Sequence, residues 1–203
     1  VGLVTGLKDG SNEITATAGR VNARLTVVNH PIAGPVFSGP HEQPFICETE
    51  TFKVPSGAAS LGKPLDANCS IKTRVDYYYR STSGGDLKPF MPGSKPSDLA
   101  QTTTSLGTTV PYIVRVETGT INRAIYELAM LHNPDAERAP DPWSAPAGWN
   151  RRLIYTHGGG CTNGWYRQGG STGGVTDTVI LGRGYAMASS SLNVFGNNCN
   201  DLT

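Results

Sequence analysis

Short runs in which apolar and polar residues alternate, the pattern of strands with one buried face, recur along the sequence. In the clearest of them, residues 21–27, small or apolar residues alternate with polar ones. Residues 13–18 (EITATA) precede this run across Gly19 and Arg20. A two-residue connection that contains glycine is typical of a tight turn, so the pattern predicts a β-hairpin.

The chain around this hairpin predicts two domains. Residues 2–7 form a further strand-like run, and the turn-forming residues 8–12 follow it. Strands this short cannot bury a core alone, so residues 1–30 are predicted to be the C-terminal strands of an immunoglobulin-like β-sandwich. Four prolines then fall within residues 31–44, which predicts a linker. Residues 45–203 are predicted to form the second domain.

Alternating β-branched and aromatic residues predict two strands in this second domain, at residues 75–79 and 112–117. Residues 118–120 (TGT) are placed to close a hairpin onto residues 121–131. That last segment has two interpretations. Its apolar residues at positions 121, 124, 125, 128 and 129 have helical spacing, whereas those at 124, 126, 128 and 130 alternate as in a strand. The pattern alone favours a helix.

The C-terminal part of the sequence predicts a crossover between parallel strands. Residues 152–156 (RLIYT) are predicted to form a buried parallel strand, residues 173–182 a short helix and residues 185–192 the next strand. A strand, a glycine loop, a helix and a strand in that order make a βαβ unit. The fold class is therefore predicted to be α/β with a β-rich N-terminus.

Charge and hydropathy exclude two classes of partner. The formal net charge is +1, and the 17 Lys and Arg residues are scattered, with Arg151 and Arg152 as the only adjacent pair. Such a distribution offers no basic patch for a phosphate backbone, so nucleic acid is not expected as a partner. No apolar run approaches the roughly 20 residues that a membrane-spanning helix needs, so no membrane span is expected.

The four cysteines favour disulfides over a metal site. Cys47, Cys69, Cys161 and Cys199 show neither Cys-x-x-Cys spacing nor a histidine at zinc-site spacing, so neither a metal nor a cofactor is expected. Pairing Cys47 with Cys69 and Cys161 with Cys199 is the most local of three connectivities. Disulfides persist in oxidising compartments, which predicts a secreted or periplasmic protein.

A glycine run follows the predicted strand at residues 152–156 and is the main candidate for chemistry. Glycines in this position let backbone N–H groups approach a developing oxyanion, as in the oxyanion-hole loop of α/β hydrolases. The candidate oxyanion loop consists of Gly158, Gly159 and Gly160 with the amide of Cys161, directly after His157. The alternative is a tight turn with no catalytic role.

No convincing nucleophile accompanies this loop. Residues 169–173 (GGSTG) match the G-x-S-x-G elbow, but no apolar strand precedes Ser171, and an elbow needs one. The serines at 189–191 sit inside a predicted strand, where their hydroxyls are expected to bond backbone groups. Three histidines are expected to lie at the surface or in hinges: His30, His41 and His132. Three aspartates could each act as an acid, but none has a second carboxylate at paired spacing in the same element: Asp141, Asp177 and Asp201.

Several runs resemble a bacterial family of large secreted proteins related to tannase-like and feruloyl-esterase-like α/β hydrolases. These runs, among them GLVTGLKDGSN, VPYIVRVETGTINRAIYELA, RLIYTHGGGC and GYAMASSSLNVFGNNCND, span nearly the whole chain. The resemblance implies an immunoglobulin-like domain followed by the first strands of an α/β-hydrolase-like sheet, with a strand at residues 121–131. It also implies that nucleophile, acid and base lie downstream, and that His157 stands where relatives often carry an aromatic residue.

Two functions follow as hypotheses. In the first, the chain is the N-terminal portion of a secreted serine hydrolase, supplies the oxyanion loop and is inactive alone. Its partners would be the C-terminal remainder of the same protein, covalently joined or nicked, and a small-molecule or polymer ester as substrate. In the second, the chain is a non-catalytic secreted binding or structural module, and the glycine run is only a turn.

Overall fold

The computed structural model describes residues 8–30, 44–55, 60–157 and 167–193. The predicted oxyanion loop and Cys199 lie outside these residues. By its internal contacts the chain divides into two compact units, residues 1–41 and residues 42–203. None of the helices within the described residues has the length and hydropathy of a membrane span.

The first unit contains the predicted hairpin. Strands β1 (Gly10–Ala18) and β2 (Val21–Asn29) pair antiparallel from Ala18↔Val21 to Gly10↔Asn29. Gly19 begins the turn with a φ of 62°, a left-handed conformation that glycine adopts without steric cost. The turn expected over residues 8–12 is wrong in extent, because β1 already begins at Gly10 and its ladder continues along the whole of β2.

The second unit is β-rich and is built on one six-stranded sheet. Its strands lie in the spatial order β4-β3-β7-β8-β10-β9, and every neighbouring pair is antiparallel except β10 and β9, which are parallel. Strands β5 and β6 form a separate two-stranded sheet. In chain order the elements are β3 (Arg74–Tyr79), β4 (Lys88–Pro89), β5 (Gln101–Thr103), β6 (Thr109–Pro111), β7 (Ile113–Ile121), β8 (Ala124–Leu131), β9 (Leu153–Tyr155), α1 (Thr178–Gly182), β10 (Ala186–Ser190) and a 3₁₀ turn (Ser191–Asn193).

The segment with two interpretations is strand β8, and its pairing explains why. Its backbone bonds to β7 on one side and to β10 on the other, which a helix could not do. The hairpin closes at Asn122 and Arg123, with φ values of 46° and 70°, rather than at residues 118–120 as predicted. Two consecutive positive φ values are those of a type I′ turn, whose twist matches that of the flanking strands.

One face of the sheet carries the core. Val114 and Val116 of β7, Ala129 and Leu131 of β8 and Met187 of β10 are buried there. Leu181 of α1 packs on this cluster and is itself fully buried. Each large apolar side chain of this kind contributes roughly 1.5–3 kcal/mol by burial. The core therefore fixes α1 across the sheet, next to the parallel pair.

Strand β9 is parallel to β10, as predicted, but it is not buried. Leu153 is 56% exposed and Tyr155 is 37% exposed. The physical reason is its position, because β9 lies at the edge of the sheet and, among the described residues, pairs only with β10. Leu153 pairs with Ala186 and Tyr155 pairs with Ala188 in the register. Met187, between these two alanines, points to the core, so Leu153 and Tyr155 lie on the other face of the sheet.

A single carboxylate fixes the long connection between β3 and β5. Asp98 accepts hydrogen bonds from Lys88 Nζ (2.8 Å), Ser81 Oγ (2.7 Å) and the Tyr79 hydroxyl (3.0 Å). The ammonium of Lys88, followed by the two hydroxyls, holds the pKa of Asp98 well below its usual range. Asp98 thereby gives this connection a defined path.

Candidate functional site

The candidate site lies at the carboxyl end of β9, where the chain enters the predicted glycine loop. Thr156 and His157 follow the strand, and His157 is exposed, with its ring centroid 4.5 Å from that of Tyr155. In sheets that contain parallel strands, ligands bind outside the carboxyl ends of those strands. The roles predicted for residues 158–161 stay predictions, because these residues lie outside the described part of the chain.

The segment 167–177, here called the strap, follows the predicted loop and leads into α1. Its first anchor is Gln168, whose side chain is fully buried. Gln168 Nε2 donates to the carbonyl of Cys69 (2.9 Å), Oε1 accepts from the amide of Glu48 (3.1 Å), and the backbone amide donates to the carbonyl of Ile46 (2.9 Å). The Ser191 hydroxyl donates to the carbonyl of Gln168.

A disulfide lies beside this anchor. Cys47 and Cys69 are bonded, which confirms that predicted pair, and their Cα atoms are 5.3 Å apart. The two side-chain partners of Gln168 are the carbonyl of Cys69 itself and the amide of Glu48, the residue after Cys47. The disulfide therefore holds the two backbone groups that bind the Gln168 side chain next to each other. An ion pair between Arg167 and Glu48 (2.9 Å) reinforces the same junction.

The middle of the strap is attached to both parallel strands through two hydroxyl groups. Ser189 Oγ of β10 accepts from the amide of Gly173 (2.7 Å) and donates to the carbonyl of Thr156 (2.9 Å). The Thr156 hydroxyl in turn donates to the carbonyl of Gly174 (2.8 Å). These contacts confirm that the serine hydroxyls of β10 bond backbone groups, as expected.

This attachment leaves no room for a side chain at Gly173. A Cβ atom there would lie 2.9 Å from the carbonyl oxygen of Thr156 and 3.0 Å from Ser189 Oγ. By contrast, a Cβ at Gly170 would meet only a carboxylate oxygen of Glu48 at 3.7 Å, an ordinary contact. Glycine is thus required at position 173 but not at position 170.

A buried acid lies under the strap. Glu127 of β8 is 5% exposed, and the Thr172 hydroxyl donates to its Oε2 at 2.5 Å. Burial raises the pKa of Glu127, and the hydrogen bond from Thr172 offsets this only in part. The carboxyl lines a cavity of about 250 Å³ between the strap and residues 52–55. Sequence reasoning missed this residue, although a single acid on the core side of an otherwise apolar strand was the available signal.

The end of the strap starts helix α1. Asp177 caps the helix and accepts from the amides of Val179 (2.8 Å) and Ile180 (2.9 Å), as is typical of an N-cap. The hydroxyl of Tyr112 donates to the carbonyl of Thr178, and burial raises the pKa of Tyr112 to about 12. Asp177 therefore has a structural role in place of the acid role considered from the sequence.

The other candidates that lie within the described residues do not form a catalytic triad. Ser171 is exposed, and the described residues directly before it, 167–170, form no strand. Asp141 pairs with Arg138 at 3.2 Å, and His30 is exposed. The predictions for His41 and Asp201 lie outside the described residues. Across the ranges that the structure describes, no group of three or more His, Cys, Asp or Glu side chains could hold a metal ion.

His132 contradicts the expectation of a surface or hinge histidine, because it is only 3% exposed. Its Nε2 lies 3.0 Å from the carbonyl of Arg138, which requires a donated proton, and Nδ1 lies 3.2 Å from the hydroxyl of Tyr77. The neutral Nε2–H tautomer satisfies both contacts. The residue directly follows β8, so its ring packs against the sheet.

These observations define a β-rich protein in which an antiparallel sheet ends in a parallel βαβ unit, with a strapped, polar site at the carboxyl end of the parallel strands. A comparison with protein families then matches residues 1–203 to the tannase-like family of unknown function, DUF6351. The chain belongs to this family, which confirms the tannase-like relationship expected from the sequence. Neither a curated protein nor a solved structure matches the chain.

Proposed function

We propose that this chain is the N-terminal portion of a secreted, esterase-like serine hydrolase of the α/β-hydrolase class. In this proposal residues 158–161 donate backbone N–H groups to the oxyanion of an ester substrate, and the nucleophile comes from a C-terminal remainder of the protein. The observation that carries the proposal is the position of the glycine run, between the carboxyl end of a parallel strand and the strap. Oxyanion-hole loops of α/β hydrolases occupy such a position.

The edge of the sheet at β9 supports the proposal that a C-terminal remainder of the protein packs against this chain. Within the described residues, β9 pairs on one side only, and such an edge offers a free row of backbone donors and acceptors. Parallel strands are usually covered on both faces, yet Leu153 and Tyr155 are open to solvent. A further strand beside β9 and a covering layer would satisfy both features, and the remainder of a hydrolase domain would supply them.

The hairpin of the first unit supports the immunoglobulin-like assignment in the same way. One of its faces carries the apolar residues Ile14, Ala16, Ala23 and Leu25, paired across the two strands. Leu25 is 61% exposed, and a two-stranded hairpin is only marginally stable by itself. We propose that further strands of a β-sandwich cover this face. The disulfide is consistent with an oxidising compartment, and secretion is part of the proposal.

The test is serine labelling with a fluorophosphonate probe, followed by peptide mapping. The 203-residue chain alone should show no labelled serine and no hydrolysis of 4-nitrophenyl acetate. The same chain joined to its proposed remainder should hydrolyse the ester and carry the label in the remainder. Replacing Gly158, Gly159 and Gly160 by proline, one at a time, should then lower kcat by about 10²–10³ for at least one variant, because proline lacks the N–H.

The outcomes separate the two hypotheses. A label on Ser171 in the isolated chain would overturn the proposed division of labour. Absence of both label and hydrolysis in the joined protein would instead favour the non-catalytic module. Circular dichroism of each proline variant serves as the control, since only a variant with unchanged folding reports on the oxyanion loop.

A further inference from the structure

The cavity under the strap has the features of a binding site that the proposed hydrolase does not need. Glu127 forms part of its wall, and the structure gives only one of its carboxyl oxygens, Oε2, a partner among the described residues. The other oxygen, Oε1, does not belong to the buried side-chain atoms that lack a partner in the described part of the chain, so solvent in the cavity reaches it although the residue as a whole is only 5% exposed. A hydroxyl group that enters the cavity can replace the water at this oxygen and form the same hydrogen bond to Oε1.

The rest of the wall restricts the charge of that group. Lys53 lines the same cavity as Glu127, and the structure shows no ion pair between them among the described residues. A cationic ligand would be opposed by Lys53, and an anionic ligand by Glu127 once it is ionised. A neutral ligand avoids both penalties and can still bond to each side chain.

The lining of the cavity combines polar and apolar groups. The strap contributes the hydroxyl-bearing residues Ser171, Thr172 and Thr176, while Phe52 and Val175 are apolar and buried. A volume of about 250 Å³ is equivalent to roughly eight water molecules, at about 30 Å³ each. Such a cavity admits a small polyol or a single sugar ring, but no drug-sized ligand.

We propose that the Glu127 cavity binds a neutral, polyhydroxylated small molecule, with Glu127 Oε1 bonding one ligand hydroxyl and the apolar wall contacting its carbon skeleton. This site is independent of the proposed esterase activity, because it requires neither the glycine loop nor a nucleophile. Ser171 is an exposed residue of the cavity lining. The G-S-T segment of the strap is then a ligand-binding wall rather than a nucleophile elbow.

The experiment is a titration of the ¹⁵N-labelled 203-residue chain with methyl β-glucoside and, separately, glycerol, followed by ¹H–¹⁵N correlation spectra. Saturable shifts are expected at the amides of Thr172, Val175 and Thr176. Choline and acetate, as charged probes, should cause none at these positions. Glu127→Leu should weaken binding at least tenfold, whereas Glu117→Gln, a partly buried glutamate outside the cavity, should leave it unchanged.

A second variant covers the case in which Glu127→Leu does not fold. Ser171→Trp changes an exposed residue of the cavity lining, so it should keep the fold and block both probes. Three results would overturn the proposal: no saturable shift with either neutral probe, equal shifts with choline or acetate, or full binding in Ser171→Trp. Since no ester is involved, none of these results bears on the hydrolase proposal.

Discussion

Replacing Gln168 by alanine should destabilise the second unit more than any surface substitution. The variant loses both side-chain hydrogen bonds and leaves the carbonyl of Cys69 and the amide of Glu48 without partners. An unsatisfied buried polar group costs about 1–3 kcal/mol. The Cys69 carbonyl is fully buried and the Glu48 amide only partly, so we expect a total loss of about 2–4 kcal/mol. That is a large share of a typical unfolding free energy of about 5–15 kcal/mol.

Urea unfolding, followed by tryptophan fluorescence and circular dichroism, measures this loss as a lower midpoint at an unchanged slope. The matched control is Gln101→Ala, the same change at an exposed position of β5, which should stay within about 0.5 kcal/mol of the parent. Gln168→Glu keeps the side-chain size but places a carboxylate against the Cys69 carbonyl, so it should be destabilised as well. Equal midpoints for Gln168→Ala and Gln101→Ala would refute the role of Gln168 as an anchor.

Three further predictions concern single features of the second unit. Gly173→Ala should cost about 1–3 kcal/mol by overpacking against fixed backbone, whereas Gly170→Ala should be nearly neutral; equal midpoints for the two variants would contradict the geometry. Removing the disulfide by changing Cys47 and Cys69 to serine should cost about 3 kcal/mol, as expected for a sequence separation of 22, and an unchanged melting temperature would rule this out. The pKa of Asp98 is lower in the folded protein than the value of about 3.9 in the unfolded chain, so the ionised Asp98 stabilises the fold at pH values above that unfolded pKa. This stabilisation is lost as the pH falls through the folded pKa. The stability of Asp98→Asn should therefore fall less steeply with acid than that of the parent, and parallel pH profiles would count against the cluster.

The elements that the sequence predicted well are those fixed by local pattern. The hairpin of β1 and β2 depends on alternation and a glycine turn, and both are visible within twenty residues. The parallel pair and a helix between its strands were predicted as well, but α1 begins at Thr178 rather than at residue 173, because Asp177 caps it there. The pattern predicted the β7–β8 turn at residues 118–120, ahead of its position at Asn122 and Arg123, because glycine is the stronger turn signal although Asn also tolerates a positive φ.

The features that the sequence did not predict depend on contacts between residues far apart in the chain. The bonds of Gln168 join residues 99 and 120 positions apart in the sequence, and no local pattern records such a separation. The exposure of β9 depends in the same way on its place in the sheet rather than on its own apolar residues. His132 was misjudged because the neighbouring proline suggested a loop, whereas its hydrogen bond to Tyr77 comes from another strand.

The anchors of the strap divide into two sets that act on different parts of the candidate site. Gln168 and the disulfide hold the segment that leaves the predicted glycine loop, while Ser189 and Thr156 hold the part that enters α1. The second set consists of Ser189 in β10 and Thr156 directly after β9, so it persists as long as the sheet does. The first set depends on the Cys47–Cys69 bond, which keeps the Cys69 carbonyl beside the Glu48 amide. Reduction should therefore loosen the side of the strap next to the glycine loop before it loosens the sheet.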